Sequence, residues 1–366
     1  MPVEKVFSAT IERVSILDEN GKFDAKLGKD VIPPVDAVAL YEHMTICRAY
    51  DMVAFKLQRS GRMGTYPQNW GQEATSTGAA YAMEDRDWFV PAYRENAGMF
   101  WRGLPMEYIF WHWMGDERGN KIPDGMRTLP LSVPIGTQML HAAGLAWAGK
   151  YRGDGSAAVT FFGDGASSEG DFHEAINFAT SLKLPVVFFC QNNGWAISTP
   201  RKKNVGGETV AQRGLAYGAH CVQVDGNDIY AVVKVVREAL DRARNDFEVT
   251  FIEGVTYRMG DHTTADDARR YRDPSELKVW EKRDPLLRLR KHLESQKAWD
   301  DSKQEALEVR AKEHVNGVVA RAEGIAKPEV SDIFSYTYAT MPETLAEQRQ
   351  TQRTNSLSLN DNLQSV

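Results

Sequence analysis

From residue 137 onward the sequence alternates between two kinds of segment. Short, uninterrupted apolar runs are "AAVTFFG" (157–163), "PVVFFCQ" (185–191), "HCVQVDG" (220–226) and "VTFIEGVTYR" (249–258). Between them lie stretches with helical spacing, "TQMLHAAGLAWAGKY", "SSEGDFHEAINFATSLK" and "NDIYAVVKVVREALDRAR". Runs that are apolar at nearly every position suit strands covered on both faces. Strands alternating with helices predict an α/β fold, a mostly parallel sheet with helices on both faces.

The rest of the chain is read around that sheet. Residues 1–34 form an arm with turns such as "DENGKF". Residues 35–60 carry a helical period that ends at Gly61, and "GRMGTYPQNWGQEA" is a loop entering a second helix. Pro105 opens a helix through "MEYIFWHWMG", with Trp111 and Trp113 expected in a core or an interface. Helical signal returns at 208–217. The α/β domain is expected to span 35–273 and a charged C-terminal helical segment 274–345. The tail 346–366 is polar and without a period, and is expected to be disordered after a short helix.

Composition serves by exclusion. A net charge of −6 offers no basic stripe for nucleic acid or an anionic membrane. No run of 18 apolar residues exists, so no membrane span is expected. The start, "MPVEKVFSATIERV", has no apolar core for a secretory signal. Cys47, Cys190 and Cys221 are scattered and form no CxxC pair. These features together predict a cytoplasmic protein with free thiols.

One run stops at an acid. In "VTFFGDGASSEGD" (159–171), Asp164 stands between Gly163 and Gly165 at a strand end. Ligands of open parallel sheets bind beyond such ends. The glycines are expected to let the backbone turn sharply and approach a ligand closely. The start of the next helix suits phosphate. Asp164 would repel phosphate unless a hard divalent cation, Mg²⁺, lay between. Asn193, after the next strand in "FFCQNNGWAIS", offers a second oxygen. Residues 166–191 between the two motifs are the length of one helix plus one strand, which brings Asp164 and Asn193 to neighbouring strand ends. The carbonyl of Trp195 could supply a third ligand.

GDG followed by Asn192-Asn193 at this spacing is the diphosphate-and-metal motif of thiamine-diphosphate enzymes. The likeness extends over about 35–345, through "GRMGTYPQNWGQEA", "PAYREN", "VPIGTQ", "GDGASSEGDFHEAINFA", "QNNGWAISTP", "VDGND" and "YRMGDHTTADDARRYR". The chain resembles the alpha subunit of the decarboxylating component of 2-oxo-acid dehydrogenase complexes. That resemblance implies a thiamine-diphosphate-binding fold, with Mg²⁺ held by Asp164, Asn193 and the Trp195 carbonyl. It implies that Tyr93 and Arg94 contact the diphosphate, and that Gly163, Gly165 and Ala166 approach it through backbone. Ile135 matches the residue that props the bent cofactor, although a plain core position explains it equally. Thr137 and Gln138 match a potassium site of some members, although a helix start explains both. His262 matches the active-site histidine, which can move a proton or donate a charged hydrogen bond. His173 is expected to be structural. Thr263 and Asp273 stand where mitochondrial relatives carry regulatory serines, which speaks against kinase control.

The resemblance also implies partners. A beta chain supplies the other half of the cofactor site in an assembly of two alpha and two beta chains. The lipoyl and peripheral-subunit-binding domains of the acyltransferase component follow. The implied reaction is decarboxylation of a 2-oxo acid and reductive acylation of the lipoyl group. Pyruvate is the first expectation, with branched-chain 2-oxo acids or acetoin as alternatives. A non-catalytic nucleotide-binding scaffold would need GxGxxG after the first strand, and none is present.

Overall fold

A computed structural model describes residues 3–364. The four apolar runs form β3 (Ala158–Gly163), β4 (Val186–Asn192), β7 (His220–Asp225) and β8 (Thr250–Val255). Two short strands extend them, β1 (Arg13–Val14) and β2 (Trp88–Val90), giving a six-stranded sheet in the order β1-β7-β8-β4-β3-β2. Every pairing in it is parallel. A two-residue hairpin, β5 (Trp195–Ala196) and β6 (Thr199–Pro200), follows β4.

Side chains alternate across the sheet, and both faces are apolar. Val159, Phe161, Val187, Phe189 and Ile252 point into one core, shared with Val232, Val236 and Leu240 of the helix Ile229–Asp246. Ala158, Phe162, Val186, Phe188 and Phe251 point into the other, against the helices Thr137–Arg152 and Gly170–Ser181. The helix Pro34–Arg59 joins the first core through Leu40, Met44 and Ala54. Three C-terminal helices, Pro274–Glu281, Pro285–Ser295 and Asp301–Glu323, begin at Asp273, Asp284 and Asp300, whose carboxylates accept from first-turn N–H groups. Leu289, Leu307 and Val315 bury this segment against that core.

Several expectations change. The arm contributes a strand that went unread, β1, to the edge of the sheet. The helix signal at 208–217 shrinks to Gln212–Leu215, a stretch diluted by Gly206, Gly207 and Gly214. The tail from 346 continues the helix Glu343–Gln364, which contains neither Gly nor Pro, in place of the disordered tail expected; residues 365 and 366 lie outside the described residues. No helix among the described residues is long and apolar enough to cross a membrane.

One carboxylate fastens the arm. Asp228 caps its own helix through the N–H groups of Tyr230 (3.1 Å) and Ala231 (3.2 Å). Its other oxygen accepts from Ile16 N–H (2.5 Å) and Leu17 N–H (2.6 Å). Replacing Asp228 with Ala leaves four buried donors short of a partner. The expected loss is about 2 kcal/mol of stability in denaturant unfolding, with faster proteolysis between residues 13 and 24. Unchanged cleavage of the arm would show that its other contacts, β1 pairing and the Arg288 guanidinium on Leu17 O among them, hold it without Asp228.

Candidate active site

Register puts three strand ends side by side: Gly163 pairs with Gln191, and Asn192 with Val255. A cavity of about 300 Å³ opens at that edge. Gly163, Gly165, Ala166, Asn193 and Trp195 line it from the strand ends, and Tyr93, Arg94, Ile135 and His262 line it from other segments. The sequence-derived site residues are thus brought to one place, with Asp164 buried behind Gly163 and Gly165.

Asp164 is wholly buried, and neither carboxylate oxygen has a hydrogen-bond partner. Burial pushes its carboxyl up to about 6. Its backbone oxygen accepts from Ser167 Oγ (2.6 Å) and Asn204 Nδ2 (3.3 Å), which pins the turn. A buried carboxylate with two bare oxygens is costly unless a cation or a proton meets it. Asn193 Oδ1 accepts only the Trp195 N–H, at 3.2 Å, and its Nδ2 donates to Gln72 Oε1 at 3.1 Å. No cluster of three or more His, Cys, Asp or Glu is gathered for a metal among the described residues. A cation here would take one carboxylate and neutral oxygens, the donor set of a hard divalent ion.

The sharp turn expected to require the two glycines does not require them, because neither has positive φ. A Cβ on Gly165 would meet Ala196 Cβ at 2.6 Å, whereas one on Gly163 would meet nothing within 4 Å. Gly165 is small because the hairpin packs on it. Gly163 leaves its space to the cavity.

Positive charge faces the cavity without a counter-ion. Arg94 is buried, and its guanidinium donates to Gln68 O (2.7 Å), to His262 O and to His262 Nδ1 (3.1 Å). Glu95 does not pair with that guanidinium; its Oε2 takes the Arg94 backbone N–H at 3.1 Å. Arg258, which the sequence reading missed, is 1% exposed and donates to Ile197 O and Tyr271 OH, each at 2.8 Å. Burial, and then Arg94, lower it to about 10. Neither arginine has an ion-pair partner among the described residues. Two buried guanidiniums converging on one space suit a polyanion. The available signal for Arg258 was its place three residues beyond β8.

His262 is held differently from the charged donor that the resemblance allowed. Arg94 and Arg258 (3.4 Å) both face its Nδ1. Burial, Arg94 and Arg258 hold the ring down at about 4. The neutral ring therefore accepts at Nδ1 and carries its proton on Nε2. Tyr93 lies edge-on to it, with centroids 6.5 Å apart. Glu95 and Gln191 were also missed. Both are buried cavity residues, joined by Gln191 Nε2 donating to Glu95 Oε1, and burial pushes Glu95 up to about 7.

Ile135 is 46% exposed at the cavity rim, so it is not a core residue. Thr137 and Gln138 begin the helix Thr137–Arg152; Gln138 Nε2 donates to Phe161 O at 2.8 Å, and its Oε1 is buried without a partner. His173 shares a 2.7 Å hydrogen bond with Tyr217 OH and does not line the cavity.

A family model described as "Dehydrogenase E1 component" matches residues 41–331. The chain is 42% identical over 341 residues to a protein of Staphylococcus aureus (strain Mu50), covering 92% of this chain and 91% of that one. It is 40% identical, with the same coverage, to a counterpart from Staphylococcus epidermidis (strain ATCC 35984). Both relatives are called "Pyruvate dehydrogenase E1 component subunit alpha".

The His262 environment is open to direct measurement. Its folded value lies below the ordinary 6.5, so the stability it contributes is complete above pH 6.5 and is lost as pH falls toward 4. Imidazole NMR should show no His262 titration between about pH 5.5 and 8. Arg94→Met should raise its midpoint. A midpoint near 6.5 in the unaltered chain would contradict the neutral assignment.

Proposed function

The chain belongs to the dehydrogenase E1 component family, and from that premise we propose that it is the alpha subunit of a cytoplasmic, thiamine-diphosphate-dependent pyruvate dehydrogenase. The observation that carries the site assignment is the charge pattern: a buried carboxylate with two bare oxygens beside two unpaired buried guanidiniums, all at one strand edge. A magnesium diphosphate is complementary to that pattern, because its cation meets the acid and its oxygens meet the arginines.

In this reading Asp164, Asn193 and the Trp195 carbonyl hold Mg²⁺. Arg94 and Arg258 neutralise the diphosphate, with Tyr93, Gly163, Gly165 and Ala166 forming its near wall. Ile135 supports the cofactor from the rim. His262 presents its Nε2–H as a donor to the cofactor, its Nδ1 being taken up by the two arginines. Gln138 Oε1 is the atom here that favours a potassium ion near Thr137. When bound, thiamine diphosphate supplies the nucleophilic carbon and electron sink for loss of CO₂ from the 2-oxo acid. The chain's own residues bind and orient it and keep its charged end out of water.

As an E1 alpha subunit the chain works with a beta partner in a multienzyme complex. We assign to that partner the acid that meets the aminopyrimidine, in an assembly of two alpha and two beta chains. The acyl group then passes to a lipoyl domain of the acyltransferase component, to which the peripheral-subunit-binding domain tethers the assembly.

Calorimetry on the alpha–beta assembly tests the cation site. Asp164→Ala should abolish Mg²⁺-dependent thiamine-diphosphate binding, whereas unchanged affinity would remove Asp164 as a ligand. Substrate choice is read from kcat/KM over a panel of 2-oxo acids, with pyruvate expected to lead. A lead for branched-chain acids would reassign the enzyme within the family.

A further inference from the structure

Arg94 and the segment that carries His262 both lean on a loop that does not itself line the cavity. Arg94 Nη1 donates to Gln68 O at 2.7 Å. Tyr66 and Thr264 bind each other twice, through Tyr66 N–H to Thr264 Oγ1 (3.0 Å) and Thr264 N–H to Tyr66 O (2.9 Å). Farther along, Met259 N–H donates to Trp70 O (3.2 Å) and Thr256 Oγ1 to Gly71 O (3.0 Å). Residues 66–71 therefore run beside 256–264 as an irregular ladder, and the latter segment carries both Arg258 and His262. None of residues 66–71 is a cavity residue.

On its other side the loop is held by a buried carboxylate of the helix Pro34–Arg59. Asp51, in the middle of the helix Pro34–Arg59, is 1% exposed. Its Oδ1 accepts from Tyr66 OH (2.6 Å) and Asn69 Nδ2 (3.3 Å), and its Oδ2 from Asn69 N–H (2.6 Å). Asn96 Nδ2 completes the arrangement by donating to Tyr66 OH at 2.9 Å. No cation pairs with Asp51 among the described residues, although buried carboxylates are ordinarily matched by one. All three side-chain acceptor bonds go to this loop. A residue needed only to pack the helix would be apolar. A carboxylate whose hydrogen bonds all go to one loop specifies where that loop sits.

We propose that Asp51 is a positioning residue: through Tyr66 and Asn69 it fixes the loop 66–71, which in turn sets Arg94 and the His262 segment for the diphosphate end of the cofactor. The inference rests on the thiamine-diphosphate reading of the cavity. Asp51 touches neither the cavity nor any reacting atom, so its effect is transmitted wholly by the loop. Loss of the anchor loosens both the carbonyl that aims Arg94 and the pair of bonds that holds Thr264, two residues from His262.

The test uses Tyr66→Phe and Asp51→Asn in the full chain assembled with its beta partner. Tyr41→Phe is the control. Tyr41 sits on the same helix and also loses one buried hydroxyl bond, to Gln304 Oε1 at 2.7 Å, but that bond faces away from the loop. Without cofactor, hydrogen exchange in 256–266 should quicken in Tyr66→Phe and Asp51→Asn and stay at the wild-type rate in Tyr41→Phe. With Mg²⁺ present, the Kd for thiamine diphosphate should rise roughly tenfold in the two loop variants, the scale of one well-placed buried hydrogen bond. The KM for the 2-oxo acid at saturating cofactor should not move. Tyr66→Phe keeps the ring and its packing, so it carries the test if Asp51→Asn fails to fold. Wild-type exchange and affinity in Tyr66→Phe would overturn the inference, as would equal effects in Tyr41→Phe. Absence of thiamine-diphosphate binding by the wild-type assembly would overturn the reading of the cavity and this inference with it. Binding that is normal in the wild type and undisturbed in the loop variants would overturn this inference alone.

Discussion

A charge buried without its partner organises this molecule. Asp164 sits at the end of β3 with both carboxylate oxygens bare and no access to water. Folding tolerates such a group only where the surrounding structure compels it, because removing an unpaired carboxylate from water is expensive. Here the compulsion is the sheet itself. β3 is paired on both sides and buried on both faces, so the residue that follows it has little freedom. The same holds for Asn193 beyond β4 and for Arg258 beyond β8. A rigid floor thus holds groups that a loop alone could not keep together, the usual advantage of placing a site at parallel strand ends.

The charges are arranged as complements. Arg258 stands beyond the end of β8 as the acid stands beyond β3, and Arg94 comes from the segment after β2; their guanidiniums are held through Gln68, Ile197 and Tyr271. His262, wedged against both arginines, is kept neutral by burial first and by them second. The buried charges there are the Asp164 carboxylate and the Arg94 and Arg258 guanidiniums, with the exposed Glu169 also lining the cavity. Glu95, pushed up to about 7, is poised between its two forms close by.

How much of this could be read from the chain depended on how periodic the signal was. The four long strands were legible because they are apolar on both faces, and Asp164 and Asn193 were legible because strand ends in such a sheet share an edge. β1 and β2 were not, since two or three residues cannot display a period. Arg258 and Glu95 escaped because each is one polar residue in a loop, and its role comes from partners 61 to 164 residues away in the chain, Ile197, Gln191 and Arg94. The neutrality of His262 had the same origin, since the arginine that does most to hold it down stands 168 residues from it. Gly165 shows the limit from another direction. Its glycine was visible, but the reason for it, the hairpin Cβ of Ala196, was not.

That contact between Gly165 and Ala196 also says where the cavity can change shape. On the hairpin side there is no slack: enlarging either residue would push the acid-bearing turn out of line with its neighbour on β4. Ile135, by contrast, lines the cavity half exposed and outside either core. An engineer seeking room for bulkier molecules would carve there, leaving the hairpin wall untouched.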